Sequence, residues 1–260
     1  MLTDTHAHLA MGDEPVEALL ERAHAAGVST IVTIGIDLAS SAEAAQIAAV
    51  HRGVHAAVGI HPHNAIEATD GVLERLADLA RGDAVVAIGE TGLDYFRDHS
   101  PRIRQEESFR SHIRLAKELD RTLVIHDREA HDDVVAILLD EGAPPRTVLH
   151  AFSGGVELVN LCAEQGWFVS FAGNVTFRNA EELRVAAKAT PPELLLSETD
   201  SPYLSPHPLR GKPNEPARVA YVVDQLAELH GLDSQDMARL TSANARRAFA
   251  LPADPGDPQG

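Results

Sequence analysis

The chain has 260 residues, 44% of them apolar, which is enough for a sizeable core and argues against a disordered or fibrous class. Lys plus Arg number 22 against 39 for Asp plus Glu, and the resulting formal charge of −17 disfavours a DNA-wrapping protein held by bulk charge. A lone cysteine, Cys162, permits neither an internal disulfide nor a Cys-rich zinc site, so a metal has to be held by His, Asp and Glu.

At the N-terminus, Met1-Leu2-Thr3-Asp4-Thr5-His6 lacks the basic segment and apolar stretch of a secretory signal. No apolar run approaches the roughly 20 residues of a membrane span. The expectation is a cytoplasmic protein with no membrane partner.

In chain order, a β-branched apolar run at Leu2–Thr5 predicts a strand, and the amphipathic pattern Val16–Ala26 a helix. Strand Thr30–Ile34 precedes helix Ala39–Ala49, and strand His55–Ile60 precedes helix Val72–Leu79. Strand Val85–Ile88 leads to helix Gln105–Leu119, and strand Leu123–Ile125 to helix Ala130–Leu139. Strand Thr147–Leu149 is followed by helix Val156–Glu164, and strand Trp167–Ser170 by helix Glu181–Ala187. Strand Leu194–Ser197 comes last, with helices Pro216–Leu229 and Gln235–Phe249 closing the pattern. Gly27, Gly142 and Gly166 each end a helical pattern just before a strand, and Pro144-Pro145 and Pro191-Pro192 block helix continuation in the same way.

This alternation is that of an α/β protein with a parallel sheet. Both an open doubly wound sheet and a barrel alternate in this way, but eight strands in about 250 residues favour the (β/α)8 TIM barrel. One domain over residues 1–251 suffices, with 252–260 a flexible tail rich in Pro, Gly and Asp.

Of 14 histidines, His6, His8, His61, His63, His126 and His150 fall at or just past the C-terminal end of a predicted strand. In (β/α) folds the active site gathers at those ends, so residues distant in sequence converge there. Glu90 follows the fourth strand and Asp200 the eighth. His6 and His8 are two apart, so strand alternation turns both to one side. A lone H-x-H is a weak motif, but His126 and His150 end adjacent strands, with Glu90 and Asp200 nearby. Such a thiolate-free set suits borderline or hard divalent ions, and a carboxylate such as Glu90 can bridge two of them. Hydrolysis is the reaction class this chemistry serves. His61-Pro62-His63 can bind substrate or complete a metal shell, and Ser153-Gly154-Gly155 can cradle a phosphate or form a plain turn. His24, His51, His112 and His230 fall in helical patterns or at their ends and receive no role.

These residues carry a resemblance to the TatD family of metal-dependent hydrolases and deoxyribonucleases. It rests on Asp4-Thr5-His6-Ala7-His8-Leu9, Gly59-Ile60-His61-Pro62-His63, Gly89-Glu90-Thr91-Gly92-Leu93-Asp94-Tyr95, Ile125-His126-Asp127-Arg128-Glu129-Ala130, His150-Ala151-Phe152-Ser153-Gly154 and Glu198-Thr199-Asp200-Ser201-Pro202-Tyr203. The resemblance implies a barrel with two divalent ions, Mg²⁺, Mn²⁺ or Zn²⁺. His6, His8, Glu90 and Asp200 would serve one, and Glu90, His126 and His150 the other. It also implies Asp200 as general base, His61 and His63 as donors to a phosphate oxygen, and Arg128 as a further substrate contact. Where many members carry an acid after H-x-H-L this chain has Ala10, and where Cys often separates the two histidines it has Ala7.

The activity so implied is a deoxyribonuclease, an exonuclease on single-stranded DNA ends, with no obligate protein partner. Two dications, together with Arg97, Arg102, Arg104, Arg128, Arg178, Arg210 and Lys212 on the mouth side, would offset the acidic net charge locally. The competing enzymatic reading is ester or amide hydrolysis, such as D-aminoacyl-tRNA deacylation. Many amidohydrolase barrels bridge their ions with a carboxylated lysine, but Lys117, Lys188 and Lys212 all lie away from predicted strand ends. Glu90 stands in the bridging place, which favours the nuclease-type branch. A non-catalytic metal-binding barrel would have a gap among the ligands, and the sequence has none.

Overall fold

The computed structural model describes residues 1–12, 14–97 and 99–251, so the tail expected at 252–260 lies outside the described residues. Strands and helices alternate as β1 (Leu2–Ala7), α1 (Val16–Ala25), β2 (Val28–Ile34), α2 (Leu38–Val50), β3 (Val54–Val58) and α3 (Asp70–Ala80). They continue as β4 (Val85–Asp94), α4 (Arg102–Glu118), β5 (Thr122–Arg128), α5 (His131–Glu141), β6 (Thr147–Leu149) and α6 (Val156–Gln165). The series ends with β7 (Phe168–Phe171), α7 (Glu181–Ala189), β8 (Leu195–Ser197), α8 (Val219–His230) and α9 (Ser234–Phe249). Gly27, Gly142 and Gly166 have φ of +86°, +71° and +71° at the predicted helix ends.

All eight strands form one sheet in the order β1 to β8, each parallel to its neighbour. This is the expected (β/α)8 barrel. It closes just beyond β8, where Asp200 N–H donates to His6 O (2.9 Å), His8 N–H donates to Ser201 O (2.8 Å), and Ala7 bridges Ser201. One set of alternating strand residues, among them Ile31, Ala56, Ile125 and Val169, packs against the helices. The other set, Val32, Ala57, Val124, Val148 and Leu196, packs with Ala245, Ala248 and Phe249 of α9. The period of two thus separates the helix-facing core from the barrel interior.

Strands β5, β4 and β3 differ from the sequence expectation in ways that shape the site, β5 by running past Ile125 through His126 to Arg128. The sequence expectation ends β4 at Ile88, yet the strand runs on through Glu90 to Asp94, with a register irregularity against β5 between Ile88 and Thr91. Gly89 falls within that irregularity and Gly92 pairs in register with His126, so neither ends the strand. Conversely β3 stops at Val58, not Ile60, because other partners take over its backbone. Ser41 Oγ donates to Gly59 O (3.2 Å) and accepts from Gly59 N–H (3.1 Å), and Ile60 N–H donates to His112 Nε2 (3.0 Å). Gly59 has to be glycine, since a Cβ there would sit 2.7 Å from Gly89 Cα.

His112, on α4, is therefore buried, and this corrects its reading as a residue without a role. Its Nδ1–H donates to Ser108 O at 2.7 Å, so Nε2 carries the lone pair that receives Ile60 N–H. Burial pushes its pKa down from 6.5 to about 4. Between those values the unfolded chain binds a proton that the folded chain refuses. The ring therefore contributes on the order of 3 kcal/mol that is fully present above pH 6.5 and lost as pH falls through 4. His112→Ala is expected to lower neutral-pH stability by about 2–4 kcal/mol and to flatten the acid decline between those pH values, as read by urea unfolding of metal-free protein.

Candidate active site

The C-terminal mouth of the barrel opens into a cavity of about 650 Å³ whose lining includes His8, His61, His63, Glu90, His126 and Asp200. Arg128 and His150 also line it, while His6 lies fully buried beneath. The fold thus gathers every site residue expected from the sequence.

Glu90, only 3% exposed, is the centre of this group. Its Oε2 is 2.8 Å from His6 Nε2, 3.5 Å from His150 Nε2 and 4.0 Å from His8 Nε2. Its Oε1 is 2.9 Å from His61 Nε2 and 3.7 Å from His126 Nδ1. Asp200 Oδ1 lies 3.5 Å from His8 Nε2 and 3.7 Å from His6 Nε2. Three sets of ligand atoms are close enough to share an ion: His6, His8 and Asp200; His6, Glu90 and His150; and His61, Glu90 and His126.

The geometry fits bound metal. His6 Nε2 and Glu90 Oε2 approach to 2.8 Å, yet neither atom has an aligned hydrogen bond, and His6 Nδ1 has no partner either. Buried polar atoms that converge without bonding one another leave room for a shared third partner. The remaining ring nitrogens point the same way. His8 Nδ1 lies 3.2 Å from Ile34 O, His126 Nε2 lies 3.0 Å from Asp94 Oδ2, and His150 Nδ1 lies 3.3 Å from Glu198 Oε1. Each acceptor keeps the proton on the outer nitrogen and leaves the inner lone pair facing the site, as metal-ligating histidines require.

Charge follows the same logic. Burial raises the Glu90 carboxyl, but His150, His61 and His6 outweigh it and hold the group well below the usual range. Burial lowers His150, and the surrounding Glu90, Glu198 and Asp200 reverse this, raising the ring to about 9. Burial likewise raises Asp200, and the neighbouring His8, His6 and His150 bring it below its ordinary value. The carboxylates therefore draw positive charge into the mouth, protons on histidine or a dication that displaces them.

His61 lines the cavity yet is buried, and its pKa is lowered to about 4, chiefly by burial. Its Nδ1 accepts from His63 N–H at 3.0 Å, so the neutral ring carries its proton on Nε2, towards Glu90. That proton makes His61 a donor and leaves His126 and His150 as the lone-pair bearers on this side of Glu90. His63 remains at the mouth, 3.0 Å from Asp94 Oδ2.

Two carboxylates received no role from the sequence reading. Asp94 holds both His126 and His63, and Glu198 holds His150 and accepts from Ala151 N–H at 2.7 Å. Both lie within the quoted motifs, but only the folded approach of strands distinguishes them. Ala10 packs against the apolar core, so of the first histidine pair only His8 has an outer partner, Ile34 O, while His6 Nδ1 has none.

The cationic rim is narrower than expected. Arg97 and Arg128 line the cavity, whereas Arg102 stacks on Tyr95 (3.9 Å), Arg104 pairs with Glu107 (2.6 Å) and Arg210 stacks on Phe177 (3.7 Å). Arg178 and Lys212 are likewise outside the lining. Of the Ser153-Gly154-Gly155 turn, Ser153 lines the cavity and Gly155 caps α6.

Fold and site together define a (β/α)8 barrel of the metal-dependent hydrolase class. Residues 3–250 match the family described as TatD related DNase, and the chain belongs to that family. YabD of Bacillus subtilis (strain 168), named an uncharacterized metal-dependent hydrolase, is 42% identical over 254 residues, covering 96% of this chain and 100% of the relative. A Klebsiella pneumoniae (strain 342) protein named 3'-5' ssDNA/RNA exonuclease TatD is 37% identical over 243 residues, covering 90% of this chain and 92% of its own. The crystal structure of YjjV, a TatD homolog from Escherichia coli K12, matches with a TM-score of 0.90 at 30% identity, covering 96% of this chain and 98% of that one. No helix among the described residues is long and apolar enough to cross a membrane.

Asp94→Asn removes the charge that orients His126 and His63. It is expected to weaken metal retention by about 10–100-fold, measured by competition with a chelator of known affinity, with little change in the fold.

Proposed function

We propose that the chain is a cytoplasmic phosphodiesterase that uses two divalent ions to remove nucleotides from the ends of single-stranded nucleic acid. The observation that carries this reading is the buried Glu90 carboxylate, whose Oε2 faces His6, His8 and His150 and whose Oε1 faces His61 and His126, with His150 Nε2 reaching across to 3.5 Å from His126 Nδ1. His6, His8 and Asp200 would hold one ion, His126 and His150 the other, with Glu90 between them. Bound there, Mg²⁺, Mn²⁺ or Zn²⁺ would acidify water and polarise a phosphoryl oxygen.

The chain's own groups supply the rest. Asp200, ionised and at the cavity surface, accepts the proton of the attacking water. His61 and His63, whose Nε2 protons rest on Glu90 (2.9 Å) and Asp94 (3.0 Å), line the cavity where they would face the phosphate oxygens. Arg97 and Arg128 neutralise the neighbouring phosphate. With a net formal charge of −17 over the whole chain, affinity is local, weak and salt-sensitive, which suits a strand end better than a duplex. The exonuclease name of the Klebsiella pneumoniae relative supports the same substrate class.

The test is digestion of 3′- and 5′-labelled single-stranded DNA by metal-stripped protein resupplied with Mg²⁺, Mn²⁺ or Zn²⁺, beside Glu90→Ala. Metal-dependent nucleotide release that is lost in the variant is expected, and the label released first gives the polarity. No release by protein shown to hold metal would contradict the nuclease reading and favour ester or amide hydrolysis, D-aminoacyl-tRNA deacylation included.

A further inference from the structure

Aromatic residues make up 4% of this chain, and among the described residues the exposed ones are Phe96, Tyr203 and Tyr221. Single exposed apolar side chains are ordinary on protein surfaces. Tyr203 lines the cavity, and Phe96, outside the lining, packs under Arg97 and Arg128, which line it; the two follow β8 and β4, on opposite sides of the barrel. Tyr221 lies on α8, away from the mouth.

Both are held by a rigid backbone while their rings stay open, at 50% and 54% exposure. Phe96 N–H donates to Asp94 Oδ1 at 3.1 Å, Arg97 N–H donates to the same oxygen at 2.8 Å, and Tyr95 N–H donates to Arg128 O at 2.9 Å. Tyr203 N–H donates to Asp200 O at 2.8 Å, and Asn214 Nδ2 donates to Tyr203 O at 2.7 Å. Each anchor is shared with the site, since Asp94 also orients His126 and Asp200 is the proposed proton acceptor. The backbone that carries the two rings is therefore fixed relative to the reacting centre.

Their surroundings suit a planar, polarisable group next to a phosphate. The Arg128 guanidinium lies over the Phe96 ring at 4.0 Å, with Arg97 at 5.5 Å, and both arginines line the cavity. The Tyr203 ring meets His8 edge to face at 6.1 Å, and its hydroxyl reaches Met11 Sδ at 3.7 Å. Preordered aromatic and guanidinium planes beside a cationic groove are what unpaired bases stack on, without base identity being read.

We propose that Phe96 with Arg128 on one side, and Tyr203 on the other, form a two-sided clamp for unpaired nucleobases flanking the scissile bond. A base inside a duplex is already stacked and paired, so the clamp selects frayed or single-stranded ends. This assignment rests on the nuclease reading above and gives it a source of strand selectivity.

The test compares a natural single-stranded oligonucleotide with one whose terminal residues are abasic, using metal-loaded protein. In the wild type, removing the bases is expected to raise KM about tenfold with kcat little changed. In Phe96→Ala/Tyr203→Ala that ratio should fall close to one, because the natural substrate loses its advantage. Tyr203→Phe should retain the ratio, whereas Tyr203→Leu, apolar but without a π face, should lower it. Equal KM values for the two substrates in the wild type, or a ratio that persists in the double variant, would overturn the clamp and leave the nuclease reading standing. No turnover of either oligonucleotide would overturn the nuclease reading and the clamp with it.

Discussion

A carboxylate in the interior of a barrel, surrounded by imidazoles, is the constraint on which this molecule turns. Glu90 is buried and faces His6, His61, His126 and His150. Taking an ionised carboxylate out of water costs several kcal/mol unless positive charge accompanies it. Neutral imidazoles do not supply that charge, so the site needs either bound protons or bound cations. The ring nitrogens held outward by Ile34, Asp94 and Glu198 favour cations, since they leave lone pairs directed inward.

The same group of residues completes the barrel. The seam between β1 and β8 has its backbone bonds at Asp200 to His6 and at His8 to Ser201, so closing the sheet brings the first histidine pair and Asp200 together. Asp200 has a φ of +53°, a left-handed conformation that Asp tolerates better than most residues and that the seam holds in place. On the opposite side, the tight approach of Gly59 to Gly89 sets where Glu90 enters the interior. Fold closure and site assembly are one set of contacts.

Much of this was legible in the sequence because it obeys local rules. Alternating runs separated by Gly and Pro locate all eight strands, and the two-residue spacing of His6 and His8 puts both beside Asp200. What escaped depends on contacts between distant segments. His112 sits in a helical pattern like a surface residue, yet α4 carries it against Ile60. Asp94 and Glu198 look like ordinary motif acids until strand neighbours bring His126 and His150 to them. Ile88 reads as the end of β4 because no local rule distinguishes a stop from an irregularity within a continuing ladder. Arginines counted as mouth cations are partly engaged elsewhere, Arg104 by Glu107 and Arg102 by Tyr95.

The most direct test of the account is the metal content per chain of protein reconstituted with Mn²⁺ or Zn²⁺ and freed of excess ion, measured by elemental analysis for the wild type and Glu90→Gln. Two ions per wild-type chain and a marked loss of both in the variant are expected, because the variant's amide is uncharged and offers a single acceptor oxygen. A wild-type chain that holds one ion or none, or a variant that keeps two, would contradict the account.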